Sequence, residues 1–341
     1  MARNDSIEVD TSHSPESRYR TSSMWTALVR HPASHIVLVS VVIQLVCVVA
    51  WAFFPNQFRY LDWLNLESMM RAIPLLGVVA IGVGILMISG EFDLSVGATY
   101  ILTSYLMALA FQDGWPLSLA VLLAFVVGIA IGLGNGLITI VFGIPSFITT
   151  LGSMMFLRGV VRFVSSSESI IFQPGATMER ILAGTLGPIQ AEFLWFIGFS
   201  LFGYLLLVRH SFGNHVYMVG GNRNAAVAVG INANRVKIIC FALSGICAAF
   251  AGVMSAVRIT AIAPSGGIGL ELQAIAACVV GGLSLNGGRG TAIGIALGTV
   301  LLFTIQDVLL LIGAPGYYLD MFIGGSVIVA VILNQWVGRR V

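Results

Sequence analysis

Residues 72–90, AIPLLGVVAIGVGILMISG, and residues 94–111, LSVGATYILTSYLMALAF, contain no charged side chain. Only Glu91-Phe92-Asp93 stands between them. Each run approaches the roughly 20 apolar residues with which an α-helix crosses the hydrocarbon core of a bilayer. No water is present there to satisfy backbone N–H and C=O groups, so such runs must be helical. Two of them, nearly back to back, predict an all-α integral membrane protein and leave two carboxylates to be explained.

The same pattern recurs along the chain. Apolar runs at 36–54, 117–141, 146–164, 193–208, 237–258, 272–284, 291–312 and 317–337 join 72–90 and 94–111, for about ten transmembrane helices. The run 272–284 is short enough to be re-entrant. Composition agrees: 57% of the 341 residues are hydrophobic and 9% are charged, against about 25% charged in a soluble domain. Net charge is +2 and Lys237 is the one lysine, so no basic face exists for nucleic acid. Cys47, Cys240, Cys247 and Cys278 fall inside apolar runs without metal-ligand spacing and read as small hydrophobes. No metal is expected.

Residues 1–35 hold four arginines, four acids and many Ser and Thr, with no apolar core, and read as a flexible cytosolic tail rather than a signal peptide. Residues 36–341 then form the membrane domain. With the N-terminus inside and alternating spans, eleven Lys and Arg fall on the cytosolic side and six on the other. This bias places both termini in the cytosol.

Three polar islands interrupt the apolar pattern. In the first, 86–100, Asp93 precedes LSVGATY as a helix N-cap would, with a polar break facing a translocation path as the alternative. Glu91 reads as a solvated turn residue reaching an arginine of the tail or loop. The second, 209–237, is the longest cytosolic interruption. Gly220 and Gly221 make a turn, Asn222 or Asn224 caps a short helix NAAVAVGI containing Ala225 and Ala226, and Gly230 ends it before Arg235. That helix suits either docking into a partner's groove or lying at the membrane surface.

The third island is GGLSLNGGRGTAIGIALG, 281–298. Gly290, Gly294 and Gly298 repeat at four-residue spacing, as do Gly128, Gly132 and Gly136, so helix backbones are expected to approach closely there. A phosphate-binding loop is excluded, because that motif needs Gly-Lys-Ser/Thr and the one lysine follows Val236. The chain therefore binds no cofactor by this reading.

The stretches SGEFDLSVG, IPSFITTLGSMMFLRG, GGNRNAAVAVGINANRVK and ELQAIAACVVGGLSLNGGRG occur in this order. They resemble the permease subunits of bacterial ribose/xylose/arabinose-type ABC importers, relatives of the branched-chain amino acid permeases. The resemblance runs from about residue 36 to the end. It implies an inner-membrane complex of two permease chains, identical or different, with two cytosolic ATPase subunits that use ATP and Mg. A periplasmic sugar-binding protein feeds it. GGNRNAAVAVGI would be the coupling helix seated on the ATPase. The family usually carries a glycine where this chain has Glu91, so that residue's role is not covered by the resemblance.

Polar residues inside membrane spans are costly and default to functional candidates. Asn135, Ser153, Glu271, Gln306 and Asp307 are the substrate-path candidates. Thr149, Thr150 and Arg258 are read as helix–helix or span-end residues. The rival functions are a proton-coupled secondary transporter using Glu91, Asp93 or Asp307, and a membrane-embedded enzyme. The second would need a clustered site, and the five histidines all lie in the tail or the 209–237 loop.

Overall fold

The computed structural model describes residues 34–338; the expected tail, 1–35, lies almost wholly outside the described residues. Helices dominate, numbered here in chain order: α1 Ser34–Phe53, α2 Trp63–Ile88, α3 Val96–Gln112, α4 Leu117–Phe142, α5 Ser146–Ser165 and α6 Ala176–Leu182. They continue with α7 Ala191–Tyr204, α8 Ser211–Gly221, α9 Arg223–Ala228, α10 Ala233–Ile259, α11 Leu270–Val280, α12 Ala292–Leu311 and α13 Tyr317–Gly338. A π-helical turn, Leu205–Arg209, prolongs α7. Two tiny antiparallel pairs complete the described fold, joining Ile170–Ile171 to Ala261–Ile262 and Thr185–Leu186 to Ile189–Gln190.

The all-α membrane class holds, but the number of crossings read from the sequence does not follow from helix length. Among the described residues, seven helices are long and apolar enough to span a bilayer: α1, α2, α4, α5, α7 with its π turn, α10 and α12. Helices α3 and α11 are apolar but shorter. At 1.5 Å per residue the 11 residues of α11 reach about 16 Å, roughly half the hydrocarbon thickness. This is the run expected to be short, ending at Val280 rather than 284. Helix α2 starts well before residue 72, because Glu67 and Arg71 pair one turn apart on its first turns (2.7 Å).

Helices α2 and α10 form the centre of the bundle. Of their most apolar windows 83% and 72% is buried, against 17% in α1 and 22% in α4 and α5. The outer helices present large apolar side chains outward, among them Phe142, Phe156 and Phe163. Such a surface is compatible with lipid and not with water. Close approach depends on the glycine stripes: a Cβ on Gly128 would lie 2.7 Å from the Gly245 carbonyl and the Ala249 side chain of α10. On α12, Gly294 and Gly298 meet the backbone of Gly281 and Ala277. Gly290 is not part of that stripe, since α12 starts at Ala292 behind the Thr291 cap.

Candidate functional site

The three polar islands meet at one end of the bundle, where α2 stops. The Gly288 N–H donates to the last carbonyl of α2, Ile88 O, at 2.8 Å, and Gly220 is wedged against that same carbonyl and against Gly288 N. The Tyr217 hydroxyl donates to Gly290 O at 2.8 Å. Burial raises the Tyr217 phenol above its ordinary pKa, so it remains a donor. Gly220 and Gly221 are thus the last residues of α8, not a turn, and the absence of a side chain at Gly220 lets three segments touch. Gly287 and Gly288 have φ of 79° and 70°, a region glycine enters without steric cost.

From this junction α9 projects. Asn222 caps it by accepting from Ala225 N at 3.0 Å, Gly230 follows at φ 89°, and Asn232 caps α10 by accepting from Arg235 N. One expected assignment is corrected: Ala226 is 1% exposed and belongs to the packed core, so it faces inward. The outward face carries Ala225, Val227 and Val229, with Arg235 exposed nearby. Val227 on this six-residue helix and Val229 at its C-cap form an exposed apolar face.

Glu91 sits beside this junction and pairs with Lys237 of α10, both side chains mostly buried at 13% and 15% exposed. It is neither solvated nor bound to an arginine, contrary to the sequence reading, because the first turn of α10 folds over the 89–95 segment.

Asp93 lies deeper and is 2% exposed. It is not the N-cap of α3; Ser95 occupies that position. Instead the Ser95 N–H and hydroxyl donate to Asp93 Oδ1 (2.9 and 2.6 Å), and the Ser244 hydroxyl from the middle of α10 donates to Oδ2 (2.9 Å). Asn135 Nδ2 donates to Ser95 Oγ (2.8 Å), and Ser153 Oγ donates to Asn135 Oδ1 (2.5 Å). The candidates Asn135 and Ser153 therefore belong, with Asp93, to one buried network tying α3, α4, α5 and α10 together. These donors satisfy the buried carboxyl and offset part of the cost of taking it out of water.

The loop after α10 reaches the first turn of α3, just beyond the 89–95 segment, where a Cβ on Gly267 would lie 2.6 Å from Gly97 O. Glu271, on the first turn of α11, accepts from Gly269 N (3.3 Å) and lies 3.6 Å from Arg158, which donates to Gly267 O (3.0 Å). Glu271 thus holds this loop in place. Irregular backbone at such depth is tolerated only inside protein or beside a water-filled space.

A cavity of about 280 Å³ lies between α2, α3, α11 and α12, toward the end opposite Gly220. Leu75, Leu76 and Phe303 supply apolar wall, and Tyr100, Gln273 and Gln306 supply polar groups. Gln306, a sequence candidate, reaches it; its neighbour Asp307 turns away and accepts from Asn65 Nδ2 (2.9 Å), linking α12 to α2. Asn135, Ser153, Glu271 and Asp307 do not line the cavity.

Sequence reasoning missed Tyr100 and Gln273, which sit on the shorter helices α3 and α11, and Phe303, an apolar residue of the full-length α12. It also missed a polar cluster at the same end. Gln190 Oε1 accepts from Arg71 Nε (3.2 Å), Arg258 donates to Arg71 O (2.9 Å), and Glu192 is fully buried. Among the described residues no group of three or more His, Cys, Asp or Glu could hold a metal ion.

The comparisons agree with this architecture. The family described as "Branched-chain amino acid transport system / permease component" matches residues 65–331. The chain is 31% identical over 272 residues to the L-arabinose ABC transporter permease protein AraH of Azospirillum brasilense, covering 80% of each chain. It is 33% identical over 291 residues to the autoinducer 2 import system permease protein LsrC of Salmonella paratyphi B, covering 85% of this chain and 84% of the relative. It is 31% identical over 296 residues to the probable ABC transporter permease protein YphD of Escherichia coli K12, covering 87% and 89%. No solved structure matches. With these relatives, an apolar multi-helix body and its signature motifs joined at one end, the chain belongs to the branched-chain amino acid transport system permease component family, among permeases of sugar-type ABC transporters.

Proposed function

We propose that this chain is the membrane-spanning permease subunit of an ATP-driven importer for a monosaccharide or related polyol. In this reading the Gly220 end faces the cytosol, where α9 seats on a separate ATPase subunit that binds ATP and Mg. The cavity end faces a periplasmic binding protein, and a second permease chain completes the path. Both termini are cytosolic, with α3 and α11 counted as crossings completed by the irregular segments 89–95 and 281–291.

The observation that carries the proposal is α9: a capped, six-residue helix with an outward valine face, mounted through Gly220 on the carbonyl end of α2 and the 287–288 turn. A push on α9 is transmitted through backbone contact to α2, to the Glu91–Lys237 pair and to the segment bearing Asp93. The chain makes no covalent chemistry. It alternates access, and the hydrolysing partner supplies the free energy.

The test is uptake in proteoliposomes containing this chain together with its partner permease, ATPase and binding protein. We expect labelled sugar uptake that requires hydrolysable ATP and persists with a protonophore. Uptake without the ATPase that collapses with the protonophore would instead support proton coupling through the acidic residues.

A further inference from the structure

Gln306 is 7% exposed, lines the cavity, and its Nε2 has no hydrogen-bond partner. An amide buried in a membrane span without a partner is costly, and a retained one calls for a group that is absent from the free chain. The cavity wall explains which group fits. No lining residue carries a charge; around the cavity Arg158 pairs with Glu271, Arg71 pairs with Glu67 and Asp307 accepts from Asn65, and Arg258 and Glu192 are not among the lining residues. An anionic or cationic ligand would therefore lose its hydration without compensation. A purely apolar ligand would leave Gln306 Nε2 unpaired.

The remaining class is uncharged, with hydroxyl acceptors on one edge and C–H surface on the other. Hydroxyl groups can meet Gln306 and Gln273 while the carbon face lies against Phe303, Leu75 and Leu76. Tyr100 adds an aromatic wall and its hydroxyl. At about 280 Å³ the cavity has room for about nine waters of roughly 30 Å³ each, the scale of one small ring and not of an oligomer.

We infer that this cavity is a holding site for a single neutral polyhydroxylated molecule, selected by Gln306 as hydrogen-bond donor, and that it rejects phosphorylated forms of the same molecule. This rests on the transport reading above and adds to it a position and a selecting residue.

The experiment uses the whole complex in proteoliposomes. All four native cysteines are buried, whereas Ile268 on the cavity rim is 63% exposed, so Ile268→Cys introduces a reachable thiol. Its labelling by a membrane-impermeant maleimide is followed with ribose, arabinose, xylose, ribitol and ribose 5-phosphate, alongside uptake of the same compounds. The transported neutral compound should slow labelling at least about threefold and ribose 5-phosphate should not. Gln306→Leu should erase the protection and lower uptake roughly three- to tenfold, the value of one neutral hydrogen bond, with the ATPase still bound. Should that variant fail to insert, Gln306→Met keeps the bulk without the amide and should behave the same way. Uptake without protection, protection by the phosphate, or protection surviving the loss of the amide overturns the site while leaving the transport reading intact. Uptake of none of these compounds, nor of hexoses and hexitols run beside them, overturns the transport reading, and the site with it.

Discussion

Lys237 Nζ pairs with the Glu91 carboxylate across 146 residues of chain, joining the first turn of α10 to the turn that follows α2. The partners flank the junction from which α9 projects, so the pair bridges the candidate coupling segment and the path to Asp93. At 13% and 15% exposure the two charges are largely desolvated. Each therefore depends on the other more than an exposed pair would.

Removing one partner should then harm more than removing both. Glu91→Gln and Lys237→Gln are each expected to lower detergent stability and uptake, while the double variant recovers much of the loss. The coupling in a double-mutant cycle is expected at about 1–3 kcal/mol. Additive single losses would show that the pair is incidental. Normal stability with abolished uptake in Glu91→Gln alone would make Glu91 a gate residue.

On α9 the buried and exposed positions give opposite expectations. Val227→Arg alters the outward face, so the protein should insert normally yet lose its ATPase on purification. Ala226→Arg forces a charge into packed core and should lower the amount of folded protein itself. ATPase retained at full stoichiometry by Val227→Arg, with undiminished uptake, would remove α9 as the coupling surface.

Asp93 accepts three hydrogen bonds in the bundle interior, so its removal strands the Ser95 and Ser244 donors. Asp93→Ala is expected to cost about 3 kcal/mol or more and to deplete folded protein in the membrane, with Asp93→Asn milder because it keeps an acceptor. Thermal stability in detergent by size-exclusion decides this. Asp93→Ala that is as stable as the parent but inactive would move Asp93 from architecture to the substrate path.

The sequence made the helices legible because lipid imposes one rule on every span: apolar side chains and internally satisfied backbone. It was less informative where the chain breaks that rule in protein interior. The turn containing Glu91 and Asp93 looks like a surface connection by charge alone, yet Ser244, Asn135 and Ser153 close over Asp93 from other helices. Lys237 is too distant in sequence to announce itself as the partner of Glu91. A six-residue helix has too few turns for periodicity to reveal that Ala226 points inward. Gln306 could be singled out, because an amide in a span is expensive wherever it lies. Asp307 met the same criterion, and only the position of Asn65 distinguishes its structural link from a path role.

Gly220 and Gly221 offer the sharpest separation between neighbours. Both end α8 and both belong to the GGNRNAAVAVGI signature, so sequence gives no reason to treat them differently. A Cβ on Gly220 would strike backbone, the Ile88 carbonyl and Gly288 N at 2.7 Å, and backbone cannot rotate away as a side chain could. A Cβ on Gly221 would meet only Gly288 Cα at 3.9 Å, an ordinary contact. Gly220→Ala must therefore push α8 off the end of α2 and break the Gly288 to Ile88 hydrogen bond. We expect a loss of roughly 2–4 kcal/mol in stability or, if the junction yields instead, folded protein whose ATPase activity no longer responds to substrate. Gly221→Ala should leave stability and uptake within about twofold of the parent, since alanine also favours the helix by up to about 1 kcal/mol. Stimulated ATPase activity and thermal stability measured on both variants test the junction. Equal tolerance of the two substitutions would mean that motion of α9 reaches the membrane helices by some route other than this backbone contact.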